Sequence, residues 1–278
     1  MTRMDVLVPA FSIAADSAAI EIGARLAADH GGEAAALIVG VSLGSEYAEL
    51  QNTLSVALAD IVAGADSAAA KARRELVEWI AARQPGMPVF DATIEAAAAL
   101  DEIVGHARMA DLIVCTRADQ YARARSELVQ DILFKSARPV LLLPPDARVN
   151  EAWRRITIAW NGSASAVRAV SGALPLLQRA ESVHIVTIDA RPHIARRGEK
   201  PGQDLAAYLA RRDVEASVHN LDGLGRDHAE RLEEAAADHG ADLVVMGAYG
   251  HSRLREFVLG GVTRSLLARS QFPLLLAH

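Results

Sequence analysis

The stretch that decides the fold is Leu243-Val-Val-Met-Gly-Ala-Tyr-Gly250, which nine residues separate from Gly260-Gly-Val-Thr263. Its apolar start predicts a buried strand, and its glycines predict a loop that leads into a helix. A junction of this kind gathers outward-pointing N–H groups at the positive end of a helix dipole, which suits an anion such as a phosphate. The stretch therefore predicts a nucleotide site between a strand and a helix.

The composition is that of a globular protein without a polyanionic partner. The chain has 278 residues, 51% of them hydrophobic and 23% charged, and its length suits two domains of about 100 to 150 residues. A net charge of −6 provides no positive field to attract nucleic acid or an anionic membrane. The single cysteine forms no internal disulfide, and neither a signal peptide nor a membrane-spanning apolar run is evident. We therefore expect a cytoplasmic protein that binds neither nucleic acid nor membrane.

Strands alternate with helices along the chain, which predicts doubly wound, Rossmann-like parallel sheets of the α/β class. The first helix is predicted to begin near Ser17, with Asp16 or Ser17 as its cap. Prolines 144 and 145 interrupt the pattern, which then restarts. The predicted strands before this break are Val6–Pro9, Ala34–Val41, Val89–Ile94, Leu112–Cys115 and Val140–Leu143. Those after it are Ile156–Trp160, Val183–Ile188, Ser217–Leu221, Leu243–Met246 and Leu274–Ala277.

The second half repeats the first in residues as well as in the order of elements. The matching segments are Ala110-Asp-Leu-Ile-Val114 with Ala241-Asp-Leu-Val-Val245, and Ser136-Ala-Arg-Pro139 with Ser270-Gln-Phe-Pro273. This repeat predicts two tandem five-stranded domains, over residues 1–146 and 154–278.

The glycine-rich loop is present in the second half only. The corresponding loop of the first half, Thr116–Ser126, contains no glycine. A side chain keeps the backbone away from a phosphate and disfavours positive φ. We therefore predict one nucleotide site, in the C-terminal domain, and a degenerate N-terminal domain.

These residues resemble those of a tandem universal stress protein, in which two domains of that family are fused, and the resemblance covers nearly the full length. The spacing from Gly247 to Thr263 is similar to the nucleotide-binding signature of the family's ATP-binding members. That signature ends in Gly followed by Ser or Thr, whereas Gly261 stands at the hydroxyl position here. The resemblance implies that ATP or a related adenine nucleotide is held by Gly247, Gly250, Gly260, Gly261, Val262 and Thr263.

The family's second fingerprint is an Asp just past the first strand, near adenine and ribose. The matching segment is Ala159-Trp160-Asn161, in which Asn161 brings no negative charge towards a magnesium ion. Magnesium is therefore an open question for this chain. Phe11 stands at the same position in the first half. Thr187, near the end of the second strand, matches a residue whose backbone contacts the adenine edge.

Other motifs carry less weight. Arg253 in the nine-residue insert is a candidate phosphate ligand, although a solvated loop explains it equally well. Ser42 in Gly40-Val-Ser-Leu-Gly44 fits a nucleophile elbow, but no helical pattern begins directly after it, so a serine hydrolase is a distant alternative. No histidine is spaced from another His or Cys as metal ligands are, so we predict neither a metal site nor a catalytic residue.

Two classes of function remain. The first is a stress-response or regulatory protein that binds an adenine nucleotide with little or no hydrolysis. The second is a ligand-free structural or adaptor module that acts through protein contacts. The resemblance also implies that Val140–Leu143 pairs with Leu274–Ala277, as the final strands do in family dimers. The chain would then be a pseudo-dimer, alone or in a homodimer.

Overall fold

Helices alternate with strands in each half of the described chain, so the predicted α/β fold is confirmed. The computed structural model describes residues 3–41, 56–94, 96–117, 123–147, 153–190, 201–249 and 261–278. Over these ranges the chain separates into two units. No helix within them is both long enough and apolar enough to cross a membrane.

The first unit is a four-stranded parallel sheet with helices between its strands. Its elements are β1 (Val6–Ala10), α1 (Ile13–Asp29), β2 (Ala34–Val41), α2 (Val56–Arg83), β3 (Val89–Ile94), α3 (Ala96–Arg108), β4 (Leu112–Thr116) and α4 (Arg123–Lys135). The strand order is β3-β2-β1-β4. Every residue of β1 and β4 is buried, as is usual for parallel strands covered on both faces.

The second unit repeats this arrangement and adds two strands, so its sheet has six. Its elements are β5 (Val140–Leu143), β6 (Arg155–Ala159), α5 (Ala164–Leu177), β7 (Ser182–Ile188), α6 (Gln203–Ala210), β8 (Ser217–Leu221), α7 (His228–Asp238), β9 (Leu243–Gly247), α8 (Gly261–Arg269) and β10 (Leu274–Ala277). The strand order is β5-β10-β9-β6-β7-β8. Strand β5 runs antiparallel to β10, with Leu142 opposite Leu274, which confirms the predicted pairing of the two final strands.

The predicted start of the first helix is wrong. Helix α1 begins at Ile13, and its cap is Ser12, whose hydroxyl accepts a hydrogen bond from the Ala15 N–H at 3.3 Å. The Asp16 carboxylate instead accepts the N–H groups of Phe11, at 2.7 Å, and of Ser12, at 3.2 Å. Because these reciprocal bonds satisfy the donors before the helix, the helix begins earlier than Ser17.

The aspartates of the repeated segments perform the same task in both units. The Asp111 carboxylate accepts the Asp5 N–H at 2.9 Å, just before β1. The Asp242 carboxylate accepts the N–H groups of Arg154 and Arg155, each at 3.0 Å, at the start of β6. Each aspartate therefore ties the strand that begins its repeat, β1 or β6, to the strand that follows the aspartate. This structural role explains the repeat of Ala-Asp-Leu without any ligand.

The repeated serines hold matching turns before the final strands. The Ser136 hydroxyl accepts the Arg138 N–H at 3.1 Å, and the Ser270 hydroxyl accepts the Phe272 N–H at 3.2 Å. Both serines are buried, so these bonds also satisfy hydroxyls that water does not reach.

Candidate functional site

A cavity of about 360 Å³ lies in the second unit at the carboxyl ends of β6, β7 and β9. The N-terminus of α8 closes one side of it. In a parallel α/β sheet this end of the strands is where loops diverge and leave room for a ligand. The described residues that line it are Ala159, Trp160, Asn161, Val186, Ile188, His228, Leu232, Met246, Gly247, Gly261, Val262 and Thr263.

Most of the described residues that were predicted to bind a nucleotide line this cavity. They are Ala159, Trp160, Asn161, Gly247, Gly261, Val262 and Thr263. Thr187 is not among the lining residues, because its buried hydroxyl donates to Asn220 Oδ1 at 2.7 Å on the other face of β7. Gly250, Arg253 and Gly260 lie outside the described residues, as does Ser42.

Gly247 is required by the packing of the protein itself. A Cβ atom at this position would lie 2.4 Å from the backbone nitrogen of Ala166 and 2.7 Å from the carbonyl carbon of Ser165. Both atoms belong to the first turn of α5, which therefore packs directly against the end of β9. The glycine brings strand and helix together, and it also lines the cavity.

Gly261 lies in open space, whereas Gly247 is tightly packed. Gly261 is the first residue of α8, and a Cβ atom built on it would meet nothing within 4 Å. The first turn of α8 contains no acidic side chain, so its own residues do not neutralise the positive end of the helix dipole. The open backbone at this helix start is suited to an anionic group.

Thr263 fastens the loop that leads away from β9. Its hydroxyl is buried and accepts the Tyr249 N–H at 3.4 Å. Tyr249 has a φ of 54°, and burial raises the pKa of its phenol. Since a hydroxyl that accepts one bond can still donate its proton, Thr263 retains a donor for a ligand.

Asn161 presents an amide to the cavity, just past the end of β6. Its Oδ1 accepts the Ser163 N–H at 3.1 Å, which leaves the amide nitrogen as a donor towards a ligand. Beside it, the Trp160 side chain is 8% exposed, and among the described residues its indole nitrogen has no hydrogen-bond partner. A buried donor of this kind is normally satisfied, so a ligand acceptor would stabilise it.

Apolar walls and one ion pair complete the site, and no local sequence pattern predicts them. Val186 and Ile188 alternate on one face of β7, and Leu232 faces them from α7. His228, the first residue of α7, lies 2.9 Å through Nε2 from the Asp189 carboxylate. The Gly223 N–H and His228 together lower the pKa of Asp189. None of the described residues that line the cavity is an Asp or a Glu.

The corresponding end of the first unit is filled by side chains. The Arg125 guanidinium contacts both carboxylate oxygens of Asp16, one of them at 3.0 Å, and its carbon lies 4.4 Å from the centroid of the Phe11 ring. Asp16 is fully buried and Arg125 is 9% exposed. This internal ion pair places a cation beside the end of β1 and the start of α1.

The fold and the cavity define an α/β protein whose C-terminal unit has a ligand-sized cleft at its strand ends. Residues 152–278 match the Universal stress protein family. A universal stress protein of Methanocaldococcus jannaschii is 35% identical over 63 residues, covering 23% of this chain and 38% of that protein. A universal stress protein of Synechocystis is 26% identical over 159 residues, covering 53% of this chain and 49% of that protein. The chain thus spans less than half the length of each relative.

A solved universal stress protein from Archaeoglobus fulgidus shares the fold across both units. It superposes with a TM-score of 0.64 at 18% identity, and the alignment covers 99% of this chain and 96% of that one. At this identity the likeness concerns the fold alone.

Proposed function

We propose that the C-terminal unit binds an adenine nucleotide, ATP or a close relative, and that the protein acts in a stress response as a binding or regulatory module. The observation that carries this proposal is the open N-terminus of α8 beside a cavity of about 360 Å³. Ligand pockets for small molecules typically measure about 300 to 1,000 Å³. Among the described side chains that line the cavity, only that of His228 is ionisable, and it already faces Asp189.

The chemistry of the lining supports an orientation for the nucleotide. Apolar side chains from β7, α7 and β9 suit the flat face of adenine. The Asn161 amide provides a donor suited to ribose hydroxyls. The backbone N–H groups that begin α8 at Gly261 suit the phosphates.

The same lining supports binding with little or no turnover. Magnesium prefers carboxylate and phosphate oxygens, and the described lining residues offer no carboxylate. The described lining residues therefore supply no carboxylate ligand for a magnesium ion. No described lining carboxylate stands ready to activate a water molecule as a general base either.

Replacing Gly261 by leucine is expected to weaken ATP binding by about tenfold or more, since the side chain would project into open space at the helix start. Isothermal titration of the full-length protein with ATP measures the change. The matched control is Ala268→Leu, which adds the same side chain at an exposed position of the same helix. Equal ATP affinity of Gly261→Leu and wild type would contradict the proposed nucleotide site. Absence of binding at millimolar ATP would instead favour the adaptor function.

Replacing Gly261 by serine is expected to strengthen ATP binding by about tenfold, because a hydroxyl at this helix start adds a hydrogen bond to a charged phosphate. The space around Gly261 accepts the side chain without displacing any neighbour. Gly261→Ala, which adds the carbon without the hydroxyl, separates the hydrogen bond from the effect of helix propensity. Serine and alanine variants of equal affinity would contradict a phosphate at this position.

A further inference from the structure

Three histidines of the second unit meet at a place that the nucleotide site does not use. His184 lies on β7, His219 lies on the neighbouring β8, and His239 directly follows α7. The rings of His184 and His239 are stacked with centroids 4.2 Å apart, and the ring of His219 lies 4.3 Å from that of His239. Pairing of β7 with β8 places the first two side chains on one face, and α7 delivers the third onto it.

Their nitrogens converge. One ring nitrogen from each histidine can be chosen so that all three lie within 4.8 Å of one another. His184 Nδ1 and His219 Nε2 are already 3.1 Å apart. Three ligands of a tetrahedral zinc ion, each at about 2.0 to 2.1 Å from the metal, lie roughly 3.3 Å apart. Small side-chain rotations would therefore bring all three nitrogens to ligating distance.

One of these nitrogens lacks a partner. His239 Nδ1 is buried and, among the described residues, accepts or donates no hydrogen bond. Leaving a buried polar atom unsatisfied is costly, and most such atoms in folded proteins have a protein or water partner. One nitrogen of the histidine cluster thus lacks a hydrogen-bond partner among the described residues.

We propose that His184, His219 and His239 form a binding site for a divalent transition-metal ion of the zinc class, with a fourth position open to water or an added ligand. Three imidazoles without a carboxylate or thiolate suit zinc, copper, nickel or cobalt and disfavour magnesium and calcium. The site is independent of the proposed nucleotide site. The two sites share helix α7, which carries His228 at the cavity and ends next to His239.

Zinc titration of the full-length protein, stripped of metal by a chelator and monitored by competition with a coloured indicator, tests this site. His239→Gln and His219→Gln are expected to weaken zinc binding by about 100-fold or more, since loss of an outer-shell partner alone costs up to about that much. His106→Gln is the matched control, because it removes a histidine from the first unit. Retained affinity in both cluster variants would overturn the proposal.

A second measurement, the effect of zinc on the Tm of the wild-type protein, remains informative even if a variant folds poorly. Zinc is expected to raise the Tm of the wild-type protein and to leave that of His239→Gln unchanged, because a ligand that binds only the folded state stabilises it. Cobalt bound in place of zinc should produce the visible absorption of a tetrahedral site. A wild-type Tm that responds to pH but not to zinc would mean that the imidazoles only pack together, and the metal site would be rejected.

Discussion

Replacing Arg125 by methionine is expected to lower the free energy of unfolding of the first unit by about 3 to 5 kcal/mol, the usual result of removing one partner of a buried ion pair. Methionine fills a similar length but carries no charge. Among the described residues, the fully buried Asp16 carboxylate would then keep only the N–H groups of Phe11 and Ser12 as partners. The lost contact with the Phe11 ring adds to the penalty.

The reaction rate of the Cys115 thiol measures how often the first unit opens. Cys115 is the only cysteine of the chain, it is buried on β4, and burial raises its pKa to about 12. A thiol reagent at pH 8 should therefore react with the native protein only when the first unit opens, and faster in Arg125→Met. The double variant Asp16→Leu with Arg125→Met leaves no unpaired charge and should recover part of the loss. A single variant as stable as wild type would contradict the role of the ion pair.

Replacing Gly247 by alanine is expected to lower the free energy of unfolding of the second unit by about 3 kcal/mol, at the upper end of the usual cost of overpacking. The added carbon would lie 2.4 Å from the Ala166 nitrogen, and backbone atoms cannot turn aside as a flexible side chain can. The end of β9 and the start of α5 must separate. Urea denaturation followed by circular dichroism measures the change.

Gly261→Ala is the control for this experiment, since the same methyl group would meet nothing within 4 Å. Its stability should stay within about 0.5 kcal/mol of wild type. Two glycines of one signature thus have separate tasks, one in packing and one at an open helix start. If both variants were equally destabilised, the distinction would be wrong.

The strands could be predicted well because each is a short apolar run between turn residues. Strand β2 spans Ala34–Val41, which is the predicted range. A strand buried on both faces is a continuous apolar run, so the ends of the run mark the ends of the strand. The start of α1 could not be predicted equally well. Ser12 and Ser17 are both suitable caps, and the choice depends on the bonds that the Asp16 carboxylate accepts, which local sequence does not reveal.

The cavity could be predicted where its residues follow one another in sequence, as Gly261 and Thr263 do. Its apolar wall could not, because Val186 and Leu232 are brought together only by the packing of α7 on β7. The histidine cluster was missed for the same reason. His184 and His219 are 35 residues apart, and sheet pairing rather than any local spacing makes them neighbours.

The antiparallel pairing of β5 with β10 makes assembly of this sheet insensitive to dilution. Without β5, the backbone groups along one side of β10 would be an unpaired edge, which invites a strand from another molecule. That encounter would depend on protein concentration. Because β5 belongs to the same polypeptide, the pairing is intramolecular, at an effective concentration set by the connecting chain. A scarce protein would thus keep this edge covered as completely as an abundant one.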